Sequence, residues 1–93
     1  MKLSTQSVII KNKSILENEI DGEKIMLNID NGEYYGLDKI ASRIWELLNE
    51  KIEIESLIQQ LLEEYEIDYE TCKNDVLEFL DELIKKKLIV IIE

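Results

Sequence analysis

The fold of this chain is decided by the stretch SILENEIDGEKIMLNIDNGEYYGL, residues 14–37. Asp21-Gly22 and Asn31-Gly32 divide it into three short runs, and both dipeptides tolerate the positive φ angles that tight hairpin turns require. The middle run alternates in the way that a strand with one apolar face does. Its apolar face carries Ile25, Leu27 and Ile29, and its mostly polar face carries Met26, Asn28 and Asp30. We therefore predict a three-stranded antiparallel meander over residues 14–20, 23–30 and 33–37.

Beyond residue 37 the apolar period changes from two to between three and four residues, which predicts three helices. Asp38 is placed to cap the first helix and Asp68 the third, which is expected to run to about Lys87. Trp45 is interpreted as a core anchor rather than a ligand-stacking ring. The apolar stripe of the first helix is Ile40, Ile44, Leu47 and Leu48, and that of the second is Ile54, Leu57, Ile58, Leu61, Leu62 and Tyr65.

Two short β-branched runs, residues 7–10 and 88–92, lie near the ends of the sequence. They are expected to pair into a small ribbon, to dock separately, or to be exchanged between two protomers of a homodimer. The predicted fold class is therefore α+β in a single domain, residues 1–93. It comprises a three-stranded antiparallel sheet, then a three-helix bundle of winged-helix-like character, with a possible short terminal strand.

Composition excludes several classes of partner. The chain has 93 residues with 11 basic and 21 acidic side chains, and its net charge of −10 would repel the phosphate backbone of a nucleic acid. No run of about 18 apolar residues is present, so neither export nor membrane spanning is indicated. With Cys72 as its single cysteine, the chain forms no internal disulfide, and we expect a reduced, cytoplasmic environment.

The residues give little support for catalysis. The chain lacks histidine and a Gly-rich phosphate loop, and Cys72 is interpreted as a small core residue rather than a nucleophile. The carboxylates fall mainly on the polar faces of the predicted helices, where solvated side chains are expected. Residues 30–38 lack the alternating carboxylates of a calcium loop. We expect no enzymatic activity, no cofactor and no metal site.

Five segments together resemble the PqqD family, and their order and spacing are more specific than any one of them. They are DGE at 21–23, LNIDNGEYYGL at 27–37, IWELL at 44–48, DVLEFLDEL at 75–83 and LI at 88–89. The resemblance implies a recognition domain that binds the leader segment of a ribosomally synthesised precursor peptide. Such a domain hands the precursor to a peptide-modifying enzyme. A leader protease of a lasso-peptide pathway is our first choice of enzyme and a radical maturase our second.

The resemblance also implies where the leader binds. In the family the leader is added as a strand against the third strand of the meander, in a cleft walled by the third helix. The implied site residues are Glu33, Tyr34, Tyr35 and Gly36 on the strand, and Cys72, Val76, Phe79, Leu80 and Leu83 on the helix. Within this set we predict that Val76, Phe79 and Leu83 line the cleft, while Leu77, Leu80 and Ile84 face the core. The main chain of Tyr34 and Tyr35 would supply the hydrogen bonds, with at most one of the two rings in the cleft.

The sequence departs from the family pattern at two positions. Lys87 stands where a glycine usually precedes the final Leu-Ile, which predicts a less sharp or shifted turn out of the third helix. Glu53 occupies the cap position of the second helix, where Ser or Thr is common. Two other functions stay open: a winged-helix transcription regulator, which the acidic third helix disfavours, and a regulatory module that binds another folded protein.

Overall fold

We describe the fold from a computed structural model, which covers residues 3–92. Strands and helices follow one another as expected for an α+β chain, with a strand-rich first third and a helical remainder. In chain order the elements are β1 (Val8–Lys11), β2 (Ile15–Ile20), β3 (Glu23–Asn28), β4 (Glu33–Gly36), α1 (Lys39–Leu47), β5 (Ile52–Glu53), α2 (Ile54–Glu64), α3 (Tyr69–Lys85) and β6 (Ile89–Ile91). The winged-helix-like character of the helical half stays a prediction.

The predicted meander is confirmed as the sheet β2-β3-β4, antiparallel throughout. Its first turn places Asp21 and Gly22 at φ angles of 53° and 83°. Two successive positive φ angles match the right-handed twist of a tight hairpin. In the second turn Gly32 has a φ of 72° and its amide donates to the Asn28 carbonyl at 2.8 Å.

The face of the meander that packs on the protein is the mixed one rather than the apolar one. Met26 and Asn28 are fully buried, whereas Ile25 and Leu27 are half-buried and Ile29 is 56% exposed. Asn28 is tolerated inside because its amide donates to the Lys87 carbonyl at 3.3 Å and its side-chain oxygen accepts from the Asp30 amide at 2.9 Å. Apolar residues on the opposite face of this sheet are left facing outward.

The two terminal runs pair with each other, which confirms the ribbon. β1 is the centre of a second antiparallel sheet of order β5-β1-β6, with Ile9 opposite Ile91 and Ile10 opposite Val90. The third strand of this sheet, β5, was not predicted, because it consists of two residues directly before α2. Ile9 and Ile89 from this sheet are buried in the core.

All three predicted helices form. The carboxylates of Asp38 and Asp68 accept from the amides of Ala41 and Thr71, which confirms both N-caps, and Glu53 occupies its cap position without a side-chain hydrogen bond. One residue of the predicted α1 stripe is misplaced, because Ile40 is 58% exposed.

Within residues 3–92, no helix has the length and the apolar content that a bilayer crossing requires.

The turn out of α3 is sharp, contrary to the expectation drawn from Lys87. Lys87 adopts a left-handed φ of 61°, and the amides of Lys87 and Leu88 donate to the carbonyls of Ile84 and Leu83. This is the Schellman arrangement that usually ends on glycine. Lysine therefore fills the glycine position at an energetic cost instead of moving the turn.

The core lies between α1, α2, α3 and the inner sides of both sheets. Trp45 is fully buried in it, as predicted, together with Leu48, Leu57 and Leu80. Lys11 places its ammonium 4.5 Å from the centre of the Trp45 ring, so the indole is closed off by a cation as well as by apolar groups. In this core α3 packs against α2, and the C-terminal half of α3 lies beside β4.

Candidate functional site

One side of β4 is unpaired. β4 bonds to β3 on its other side, and no strand within residues 3–92 pairs along its free edge. The Leu37 amide donates to the Lys24 carbonyl at 2.9 Å, which marks those two residues as a hydrogen-bonded pair. Since hydrogen-bonded and non-bonded pairs alternate, Tyr35 bonds across to Met26, and the N–H and C=O groups of Tyr34 and Gly36 point to the free edge.

The hydrogen-bonding groups of the edge therefore differ from those predicted. We expected the main chain of Tyr34 and Tyr35 to be available, but the register assigns this role to Tyr34 and Gly36. The edge is sterically open, since a Cβ placed on Gly36 would meet no atom within 4 Å. The side chains of β4 alternate between the two faces of the sheet. The Tyr35 ring lies on the inner side with Met26, and the Tyr34 ring, which is 72% exposed, lies on the outer side.

Ser42 fixes the end of the strand pair. Its buried hydroxyl accepts from the Lys24 amide at 2.8 Å and donates to the Leu37 carbonyl at 3.1 Å. The hydroxyl thus bridges the Lys24 amide and the Leu37 carbonyl, and these two hydrogen bonds attach α1 to the meander. Sequence reasoning missed this residue, because a serine inside a helix carries no local signal for a partner on a strand 18 residues earlier.

A cleft of about 430 Å³ separates the free edge of β4 from α3. Its strand side is formed by Tyr34, Tyr35 and Gly36, and its helix side by Phe79 and Leu83. The start of α1 and the end of α3 close it, through Leu37, Asp38, Ala41, Glu82, Lys86 and Leu88. Phe79 is half-buried against the core, so part of its ring is available to a guest.

Charged groups lie at the mouth of this cleft. Lys86 holds its ammonium 5.3 Å from the centre of the Tyr35 ring, and Glu82 is exposed one turn before it. The Asp38 carboxylate is occupied by the Ala41 amide at 2.8 Å. The cleft therefore combines an apolar interior, free backbone groups on one wall, and one ammonium and two carboxylates among its lining groups, which suits an extended peptide with apolar anchors.

Comparison with known families agrees with this arrangement. The model of the family described as coenzyme PQQ synthesis protein D (PqqD) matches residues 23–89, which include the whole cleft. The chain belongs to the PqqD family.

Two solved structures extend the comparison. The first, described as TbiB1 in complex with the TbiA(beta) leader peptide, is 34% identical, with a TM-score of 0.81 over 86% of this chain and 93% of that one. The second, lasso peptide synthetase B1 complexed with the leader peptide, is 20% identical, with a TM-score of 0.72 over 88% of this chain and 96% of that one. The second shows a shared PqqD fold. No curated protein matched the chain.

The PqqD-like cleft brings together five of the predicted site residues: Tyr34, Tyr35, Gly36, Phe79 and Leu83. Glu33 begins β4 but does not line the cleft, and Leu80 is fully buried because it is turned about 100° around α3 from Phe79. Of the predicted core-facing residues, Leu80 is in the core, while Leu77 and Ile84 pack against it half-buried.

Cys72 and Val76 lie elsewhere, and the predicted placement of Val76 in the cleft is wrong. Both line a separate groove of about 330 Å³ between α1 and the α2–α3 connection, because they precede the stretch of α3 that β4 reaches. Burial raises the pKa of the Cys72 thiol, and Asp75 and Asp68 raise it further, so the neutral form predominates. A neutral buried thiol agrees with a packing role for Cys72.

Helical spacing could have identified the cleft residues that sequence reasoning missed. Glu82 and Lys86 follow Phe79 by three and seven residues and therefore share its side of α3. Asp38 and Ala41 had no such signal, since they reach the cleft only through the anchoring of α1 by Ser42.

Proposed function

We propose that this chain is a non-catalytic adaptor that binds the leader segment of a ribosomally synthesised precursor peptide and presents it to a modifying enzyme. The observation that carries the proposal is the free edge of β4 facing α3 across an open cleft. The leader-bound complex of TbiB1, which is 34% identical over most of both chains, supports the same use of this fold.

Binding is expected to proceed by strand addition. The N–H and C=O groups of Tyr34 and Gly36 are already in strand geometry, so a guest strand can bond to them without rearranging β4. Main-chain bonds of this kind are independent of the guest sequence. They therefore provide attachment and orientation, and selectivity has to come from side chains.

Selectivity is assigned to the inner side of the guest strand. Alternate guest side chains would point toward α3, where Tyr35, Ala41, Phe79 and Leu83 offer apolar contact. A guest with two apolar side chains at positions i and i+2 fits this wall. Polar or charged guest residues beyond them would lie near Glu82 and Lys86 at the mouth.

The modifying enzyme is proposed to be the leader peptidase of a lasso-peptide pathway, with a radical maturase as the second candidate. Direct titration of each purified enzyme with the leader-bound chain distinguishes the two. Neither assignment requires a reactive group on this chain, since its role is to hold the substrate.

The test of strand addition is proline at Tyr34. Because the Tyr34 amide faces the free edge, Tyr34→Pro removes a guest-bonding donor while leaving the bonds from β3 to β4 in place. The ring of proline also occupies the path of the guest. We expect leader affinity, measured by fluorescence anisotropy with the labelled leader of the associated precursor, to fall at least about tenfold.

The matched control is Tyr34→Thr, which removes the phenol ring but keeps the amide. It should bind the leader within about threefold of the unchanged chain, because the Tyr34 ring lies on the outer side. Circular dichroism checks that both variants are folded. If a folded Tyr34→Pro variant binds the leader as tightly as Tyr34→Thr, strand addition on β4 is wrong.

A further inference from the structure

The side of the β2-β3-β4 sheet that faces away from the core is mostly apolar, with Asn18 as the polar residue of its centre. We call it the outer sheet face and define it by Leu16, Ile20, Ile25, Leu27 and Tyr34. Leu16, Leu27 and Tyr34 stand side by side across the three strands. Leu16 and Ile20 are 56% and 55% exposed, and no element within residues 3–92 covers them.

This distribution is unusual for an antiparallel sheet with one solvated side. Such a sheet normally turns its polar side chains to water, whereas here the inner side carries Asn28, Lys24 and Glu17 beside Met26 and Ile15. The outer side carries Leu16, Ile20, Ile25 and Leu27, with Asn18 between Leu16 and Ile20. Contiguous exposed apolar surface marks an interaction site. The face also has relief, with depressions of about 230 Å³ beside Leu16 and Tyr34 and about 410 Å³ beside Ile20 and Gly36.

Carboxylates stand at both ends of the outer sheet face. Asp21 and Glu23 are exposed at the hairpin end, and Asp30 is exposed in the turn at the other end. None of these three carboxylates is within salt-bridge distance of a lysine or arginine that the structure describes. The basic residue nearest in the register, Lys24, pairs with Glu19 on the inner side at 3.2 Å.

The charge pattern selects the kind of partner. A second copy of this chain would bring acidic ends against acidic ends, between molecules that each carry a net charge of −10. That repulsion disfavours self-association through this face. A partner with an apolar patch flanked by lysine or arginine would match both the aliphatic centre and the unpaired carboxylates.

We propose that the outer sheet face is the docking surface for the modifying enzyme, whose matching surface is apolar and flanked by basic side chains. The proposal rests on the function proposed above. Tyr34 connects the two surfaces, because its backbone belongs to the free edge and its ring to the outer sheet face. A leader strand added to β4 would widen this face by one strand, so the enzyme would contact adaptor and leader side by side.

The test replaces the two most exposed aliphatic residues of β2 with a polar residue of high strand propensity. The variant Leu16→Thr/Ile20→Thr is compared with Val90→Thr/Ile92→Thr, a matched control on the other sheet, where both residues are 43% exposed. The purified leader peptidase associated with the precursor is titrated against each variant by calorimetry. Leader binding by each variant is measured separately by anisotropy, and sedimentation reports the oligomeric state.

The proposal expects the β2 variant to bind the peptidase at least about tenfold more weakly while its leader affinity changes less than about twofold. The control variant should bind both partners normally. Equal peptidase binding by the two variants, no binding by the unchanged chain, or a dimer that the β2 variant abolishes would each overturn it. Peptidase binding through this face without leader binding would uphold the docking surface and reject the adaptor function.

Discussion

The two halves of α3 use the same apolar spacing for different purposes. In the N-terminal half, Cys72 and Val76 are buried under α1 and α2. In the C-terminal half, the half-buried Phe79 lines the cleft together with the buried Leu83, because the neighbouring element there is the edge strand β4. The periodicity of a helix therefore shows which residues avoid water but not which of them contact a guest peptide. Which apolar residues of α3 line the cleft depends on how far β4 extends along the helix, and β4 is four residues long.

The largest effect is expected from truncating Leu80, which lies between the two halves of α3. Leu80 is fully buried, so Leu80→Ala should lower the free energy of unfolding by about 2–5 kcal/mol through lost contacts and a residual cavity. Urea denaturation measures this change. Leu16→Ala, at a site 56% exposed, is the comparison and should cost less than about 1 kcal/mol. Equal losses for both would contradict the position of the core.

The second prediction compares the functions of the two halves. Phe79→Ala should weaken leader binding about tenfold, because it removes the largest apolar contact on the helix side of the cleft. Cys72→Ala should leave leader affinity unchanged, although it lies two turns away on nearly the same side of α3. Anisotropy titrations of folded variants measure both. A folded Phe79→Ala variant with unchanged affinity would refute the assignment of Phe79.

The third prediction concerns the end of the C-terminal half. Lys87→Gly should raise the free energy of unfolding by about 0.5–1 kcal/mol, since glycine removes the strain of a left-handed φ but adds freedom to the unfolded chain. Lys86→Gly serves as the control, because Lys86 has a φ of −86° and gains no relief. Thermal denaturation compares them. Stabilisation by Lys86→Gly of the same size would indicate a general effect of removing a lysine.

The smallest expected effect concerns an ion pair between α1 and α2, the two helices that cover the N-terminal half of α3. Arg43 on α1 donates two hydrogen bonds, of 2.7 and 2.6 Å, to the Glu64 carboxylate on α2, and this holds the pKa of Glu64 at about 2. A lowered folded pKa means that the pair stabilises the fold fully above the ordinary value of 4.5 and is lost as pH falls toward 2. In an NMR titration, Arg43→Gln should return the Glu64 midpoint toward 4.5. An unchanged midpoint would remove Arg43 as the cause.

Local chemistry made most of the fold predictable. Turn dipeptides placed both hairpins, and the carboxylates of Asp38 and Asp68 placed two helix starts, because each of these signals acts within a few residues. The side of the meander that is buried was not predictable in this way. Asn28 is inside because carbonyls at the end of α3, about 60 residues later, accept from it.

The candidate site was predictable in its strand but only partly in its helix. β4 follows directly from the second turn, so the position of the strand could be predicted from local sequence. Which turns of α3 face it depends on how far β4 extends and on the anchoring of α1 through Ser42, both of which are long-range contacts. For that reason Val76 was predicted to line the cleft, whereas it lies in the separate groove beside α1.

The shortness of β4 limits how firmly any peptide can be held by its backbone. Two outward-facing residues, Tyr34 and Gly36, provide at most four main-chain bonds, together worth about 2–6 kcal/mol before the entropic cost of association. That range corresponds at best to roughly tens of micromolar. Recognition by this protein therefore has a small footprint, and one or two anchoring side chains of the guest decide both its residence time and its release after processing.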